Sequence, residues 1–307
     1  AAVTVRVRLE DGGGSDLRQL INDEPAREID GRWIGEATFQ IPEDLPAGYH
    51  RLSCRTAEWT AEGTLIVTPH FLGFPATMGD KRVWGYATQL YSVRSSDSWG
   101  LGDLQDLADL ATWSATQQFA SYVLVNPLHA AQPMTPLEPS PYLPTSRRYV
   151  NPIYLRPESI SEYAGLDERQ RARIAQLRGR LKKRLENEPE LKRDEVWRAK
   201  LAALRVIFDA GLKPTRLMSL NDFVRKEGRP LSQFATWCAL VNAHGTNWRD
   251  WPAELRRPSS PEVHKFATDH VTDIVFYSWL QWVADEQLRA AQSAAKGAGM
   301  RVGIMND

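Results

Sequence analysis

The sequence predicts an α/β protein: a small N-terminal β-sandwich, then the first three strands of a parallel (β/α)8 TIM-type barrel interrupted by a helical insertion. Three observations predict it. Near the N terminus apolar residues recur with period two. From Val83 onward, short apolar runs alternate with amphipathic stretches. Residues 160–264 keep helical spacing. The chain therefore divides into a β-sandwich module at 1–70, the start of an α/β barrel at 71–159, an inserted helical subdomain at 160–264, and a barrel helix with the third strand at 265–307.

In the first segment Val3, Val5, Val7 and Leu9 alternate with Thr4, Arg6 and Arg8, the mark of a strand with one buried face. Asp11-Gly12-Gly13-Gly14-Ser15-Asp16 is a turn cluster. Trp33 to Ile41 reads as a second strand, broken by Pro42 and Pro46-Ala47-Gly48 before a third at Tyr49–Cys54. Gly63–Thr68 closes the set, and short strands at this spacing suggest a small sandwich. Pro69 to Asp80, with Gly73, Pro75 and Gly79, reads as a linker.

The first barrel strand runs from Trp84 and is followed by Asp103, a helix N-cap with Asp106 three residues on, ahead of Leu104, Leu107, Leu110, Ala111 and Trp113. Tyr122 to Leu128 is almost continuously apolar, as a parallel strand covered on both faces must be. The loop from Ala130 to Arg156 carries Pro133, Pro136, Pro139, Pro141, Pro144 and Pro152, which points to an ordered, rigid and functional loop. Ile174, Leu177, Leu181 and Leu185 keep helical spacing up to Pro189. Val196 to Phe208 is a second helix, ended by Gly211 and Pro214, and Leu231–Ala243 a third. Pro261 to Lys296 forms one or two helices, and Met300–Met305 is the third barrel strand.

Composition narrows the function. Among 307 residues, 38 Lys and Arg balance 38 Asp and Glu, so bulk charge does not argue for nucleic acid or an anionic membrane as partner. Two cysteines, Cys54 and Cys238, make neither a disulfide framework nor a metal cluster, which fits a cytoplasmic protein. The apolar runs are too short to span a bilayer.

Each barrel strand opens at its C-terminal end into a loop dense in aromatic and hydrogen-bonding residues, where α/β proteins build their sites. The stretch Trp84–Arg94 with Trp99-Gly100-Leu101-Gly102-Asp103, the loop Ser140-Pro141-Tyr142…Asn151-Pro152-Ile153-Tyr154, the helix Phe276–Trp282 and the final Gly299–Asp307 resemble the amylomaltases, which are 4-α-glucanotransferases. The resemblance covers roughly residues 76–307, with the Tyr142 and Asn151 motif its most specific part. Segment 1–70 resembles the extra N-terminal β module of some bacterial members.

That resemblance implies a retaining transglycosylase acting on malto-oligosaccharides and other α-1,4-glucans. A carboxylate forms a covalent glucosyl enzyme while a second carboxyl acts as acid and then base. It implies no cofactor and no metal. The family draws its nucleophile and its acid/base from later barrel strands, so no catalytic residue is assigned within 1–307. The chain then reads as the N-terminal part of such an enzyme, inactive alone and complemented by the missing C-terminal half of the barrel. Asp307 matches a family site position that shapes the site without being the nucleophile. Tyr142 is expected to contact glucose in a donor subsite, with Ser140 beside it in the motif. His129, at the end of the second strand, stands either as a binding residue or as a structural one.

Other features have plainer readings. Asp97 and Asp103 are not expected to be catalytic. The basic run Arg169–Arg184 is flanked by Asp167, Glu168, Glu186, Glu188 and Glu190, the pattern of a solvated helix face. Most of the eleven Trp, which include Trp84, Trp99, Trp113, Trp279 and Trp282, fall on apolar positions and are expected in the core. Ser278 and His270 have no partner for a nucleophilic triad. The rival function is a non-catalytic glucan-binding or scaffold module.

Overall fold

The computed structural model describes the chain except residues 1, 75–77, 80, 81, 187 and 189. Pro75 and Asp80 of the expected linker, and Pro189 as a helix stop, lie outside the described residues. The chain divides into two compact units, Ala1–Ala76 and Thr77–Asp307.

The first unit is all β. Strands β1 (Thr4–Arg8), β2 (Gly14–Asp16), β7 (Gly48–Arg55) and β8 (Thr60–Val67) form an antiparallel sheet in the order β2-β1-β7-β8. Strand β3 (Arg18–Leu20) pairs with β6 (Thr38–Gln40), and β4 (Arg27–Ile29) with β5 (Arg32–Ile34), both antiparallel. The expected single strand over Trp33–Ile41 is thus two strands with different partners, parted at 35–37, and Trp33 is exposed. Val7 of β1 is fully buried. His50, also buried, has Nε2 2.7 Å from the Pro46 carbonyl, so that nitrogen carries the proton and Nδ1 accepts from Glu10 N–H at 3.2 Å.

The second unit is built on a parallel sheet of β9 (Gly85–Thr88), β10 (Tyr122–Val125) and β13 (Gly303–Asn306), with β10 in the centre. Tyr122 pairs with both Gly85 and Gly303, and Val125 with both Thr88 and Asn306, so the three C-terminal ends lie level. Val123 and Val125 are buried, as the apolar run of β10 demands. The third strand starts at Gly303 and not at Met300. A Cβ on Gly85 would stand 2.1 Å from the Tyr122 carbonyl oxygen, so the close pairing of β9 with β10 excludes a side chain there.

Helix α1 (Leu104–Gln118) joins β9 to β10. After β10 come the short strands β11 (His129–Ala130) and β12 (Ser146–Val150), an antiparallel pair where the sequence suggested only irregular loop. Then follow α2 (Glu168–Leu185), α3 (Arg193–Asp209), α4 (Pro214–His244), α5 (Pro261–Asp269) and α6 (Val271–Gly297). Pro214 starts α4 instead of only ending what precedes it: proline at the first helical turn lacks an N–H that would be unpaired anyway. Gly228, at φ 64°, breaks α4 into two arms, and the expected third helix is the second arm. Arg216 on the first arm ties it to α6, with Nη1 2.6 Å from Glu286 and the guanidinium 3.9 Å from the Trp282 ring centre.

One large apolar cluster joins sheet and helices, with Trp99, Phe276, Trp279 and Leu280 fully buried. Trp282 is buried as expected, but Trp84 and Trp113 are each 48 % exposed and lie at the edge, flanking Tyr86 at 5.5 and 6.2 Å between ring centres. The basic face of α2 meets acids: Arg178 pairs with Asp97 and Glu158, and Arg184 with Glu195. No described helix is long and apolar enough to cross a membrane.

Candidate functional site

The candidate site residues lie on the loops that follow the three parallel strands. The chain leaves β9 through a tight turn at Leu90–Ser92 and returns through Gly100-Leu101-Gly102 to start α1. A Cβ on Gly102 would lie 2.0 Å from the carbonyl oxygens of both Leu90 and Val93, so only glycine lets the two passes of this loop meet. At the start of α1 the Asp103 carboxylate accepts from the N–H groups of Gln105 (3.0 Å) and Asp106 (3.2 Å). The Asp106 carboxylate accepts in return from Asp103 N–H at 3.1 Å.

Asn126, directly after β10, joins the loops of the first two strands. Its Oδ1 accepts from Leu90 N–H at 2.7 Å, and its Nδ2 donates to the Pro127 carbonyl (2.8 Å) and to the Tyr154 hydroxyl (3.3 Å). The Asn151 side chain accepts from Ile153 N–H at 3.1 Å and starts the turn Pro152–Tyr154.

The proline-rich loop is pinned near both of its ends. Trp197 Nε1 donates to the Pro133 carbonyl at 2.8 Å, and Asp194 accepts from Leu137 N–H at 2.8 Å. Gln281 grips Val150, accepting from its N–H and donating to its carbonyl, both at 2.9 Å. Gln287 does the same for Arg156 at 3.0 and 2.9 Å. An amide side chain that answers both backbone groups of one residue substitutes for a missing β-ladder partner.

Beneath the loop lies a buried ionic cluster. Arg156 donates from Nε to Asp103 Oδ2 (2.5 Å) and from Nη2 to Asp106 Oδ1 (2.9 Å). Ser95 and Ser98 donate to the two oxygens of Asp106 at 2.6 and 2.7 Å. Lys200, fully buried, donates to the Ile153 carbonyl at 2.6 Å and stands 3.9 Å from Asp103. Burial pulls its ammonium down to about 8, with Asp103 opposing the shift.

This scaffold fixes what it does not cover. Tyr142 is 54 % exposed, on a turn where Leu143 N–H donates to the Ser140 carbonyl (3.2 Å) and Tyr142 N–H to Ser140 Oγ (3.3 Å). His129 is half-buried in β11, opposite Val150. Tyr142, Ser140 and His129 therefore belong to one hairpin. Asp307 follows β13 on the neighbouring strand and is exposed, and no hydrogen bond joins it to the other three among the described residues. Asp97 is exposed and held by Arg178, which keeps its carboxyl below the usual range. Ser278 Oγ donates to the Ile274 carbonyl within its own helix, and His270 stacks on Phe266 at 3.9 Å.

Sequence reasoning missed Arg156, Lys200, Asn126, Gln281 and Gln287. Only the acidic pair of the cap had a local signal.

Residues 88–307 match the family described as 4-alpha-glucanotransferase. The chain belongs to the 4-alpha-glucanotransferase family. Residues 1–69 match the MalQ N-terminal beta sandwich domain. A 4-alpha-glucanotransferase of Mycobacterium tuberculosis is 47% identical over 314 residues, covering 100% of this chain and 43% of that protein. The crystal structure of the amylomaltase of Corynebacterium glutamicum superposes with a TM-score of 0.78 at 41% identity, over 100% of this chain and 41% of the other. A more distant amylomaltase, from Streptococcus agalactiae and solved in complex with acarbose, gives 0.56 at 15% identity over 74% of this chain and 43% of its own, a likeness of fold alone. The chain thus spans less than half the length of the relatives it matches.

Proposed function

We propose that this chain is the N-terminal part of a 4-α-glucanotransferase that moves α-1,4-glucan segments between malto-oligosaccharides by a retaining double displacement in the cytoplasm. One observation carries the reading beyond family membership: an exposed aromatic ring, Tyr142, stands on a loop that α3 and α6 anchor on either side of it, beyond the C-terminal end of a parallel strand. Strands β9, β10 and β13 are the first three of a (β/α)8 barrel in this proposal, adjacent and in chain order. Residues 1–70 are its β-sandwich module, 71–159 the start of the barrel, 160–264 the inserted helical subdomain and 265–307 the helix and strand that resume it.

Tyr142 offers a ring face to a glucose unit, Ser140 and His129 offer hydrogen bonds beside it, and Asp307 accepts from sugar hydroxyls at the end of β13. The acarbose bound by the Streptococcus protein is an oligosaccharide analogue of the kind such a site would take. The nucleophile and the acid/base come from the later strands, on opposite sides of the scissile bond. A ring set before the substrate arrives binds without an ordering penalty, which is the function assigned to the pinned loop.

The test is made in the whole protein. Tyr142→Ala should lower kcat/KM for maltotriose disproportionation about tenfold, the equivalent of one ring–sugar contact, with the melting temperature nearly unchanged. Unaltered transfer in that variant would remove Tyr142 from the site.

A further inference from the structure

The second arm of α4, the turns at Trp248–Asp250 and Ala253–Arg256, and α5 line an open cavity of about 530 Å³ that shares no lining residue with Tyr142, Ser140, His129 or Asp307. That size lies in the range of small-ligand sites. Its walls combine two kinds of group. Trp237 and Trp248 supply indole surface, and Trp248 is 45 % exposed. Arg229, Gln233, Arg256 and His264 supply polar atoms.

Much of that polar capacity is unused. Among the described residues Arg229 and Gln233 have no side-chain hydrogen bond. Arg256 spends only Nε, on the Trp251 carbonyl at 2.8 Å. His264 Nδ1 lies 2.7 Å from the Ser260 carbonyl and so carries the proton, which leaves Nε2 as an acceptor when the ring is neutral. The surroundings are rigid: Trp251, buried, donates from Nε1 to the Gly245 carbonyl at 2.9 Å, and Arg249 stacks 4.6 Å from the Trp248 ring centre.

Arg249 covers one face of Trp248 and Phe234 stacks on Trp237, and the remaining indole surface, bordered by unspent planar donors, matches a particular ligand shape. A pyranose has an apolar C–H face that lies against an aromatic ring and a rim of hydroxyls that both donate and accept. Guanidinium and amide groups donate to the rim, while the Gln233 carbonyl and His264 Nε2 accept from it. We propose that this cavity is a saccharide site, separate from the strand-end site, that holds a short stretch of α-1,4-glucan. The choice of glucan rests on the function proposed above, and the choice of a saccharide rests on the cavity. A glucan held there would be tethered to the same molecule that acts on it, which raises its effective concentration at the strand ends.

The test is a titration of maltotriose into the 307-residue chain, followed by calorimetry and by tryptophan fluorescence. Binding should persist in Tyr142→Ala, weaken about tenfold in Trp248→Ala, and be largely kept in Trp248→Phe, which retains a stacking face. Thermal melts should be alike for all four proteins, since Trp248 is half-exposed. Binding unchanged in Trp248→Ala, binding lost only with Tyr142, or no binding at all would overturn the proposal. Inorganic phosphate competing fully with maltotriose would also overturn it, by making the cavity an anion site. Binding lost only with Tyr142 would speak for the strand-end subsite, and the transferase reading itself is judged separately, by turnover in the whole protein.

Discussion

Arg156 grips both carboxylates of the capping box that starts α1, its Nε 2.5 Å from Asp103 and its Nη2 2.9 Å from Asp106. All three side chains are almost wholly buried. The end of the proline-rich loop is thereby locked to the start of the first crossover helix. Arg156→Met should destabilise the chain by about 3–5 kcal/mol, because it strands two buried carboxylates. Urea titration measures this. Hydrogen exchange in residues 126–156 should rise more than in α2. A loss below 1 kcal/mol would mean that water or Lys200 already compensates the pair.

Gln287 offers a milder probe of the same lock. Gln287→Ala removes both hydrogen bonds to the Arg156 backbone; it leaves the buried N–H unpaired and the carbonyl with Ser159 N–H alone, at about 1–3 kcal/mol. Gln287→Glu keeps the acceptor for the Arg156 N–H but, when ionised, turns an oxygen toward the Arg156 carbonyl, so it should be destabilising as well. If Gln287→Ala melts like the parent, the pinning of the loop by α6 is not an energetic feature.

Lys200 gives a pH signature. Its folded value near 8 lies below the ordinary 10.5, so between these values the unfolded chain binds more proton than the folded one. Stability should therefore rise with pH through this window. Relative to Lys200→Met, the parent should gain on the order of 1–2 kcal/mol between pH 7.5 and 9.5. Tyr154 and Tyr277, whose hydroxyls burial pushes up, are present in both proteins, and their contributions cancel. A flat difference across the window would show that Lys200 titrates as if solvated.

These residues also mark how far the sequence could be read. The acid pair Asp103 and Asp106 was visible because a helix cap is local, with its acceptor and donors within three residues. Arg156 was not, because its partners lie 50 and 53 residues away and nothing local announces a buried arginine. Gln281 and Gln287 read as polar positions on an apolar helix, and each meets a backbone 131 residues off. The parallel strands were legible in type but not in extent: the apolar run through Leu128 overstated β10, because Asn126 N–H still donates to the Thr88 carbonyl but Pro127 has no N–H with which to continue the ladder. Pro214 was misleading because a proline that cannot continue one helix can open the next. Tyr142 was expected at the site through its motif, and its ring is exposed.

The most direct measurement is to incubate the 307-residue chain with maltotriose beside the whole protein and to resolve the products by chromatography. The whole protein should release glucose and build longer oligosaccharides. The chain alone should do neither, because retaining transfer needs a nucleophile and a proton donor on opposite sides of one bond, and both are assigned to later strands. Disproportionation by the chain alone at a comparable rate would contradict this and place a catalytic pair within residues 1–307.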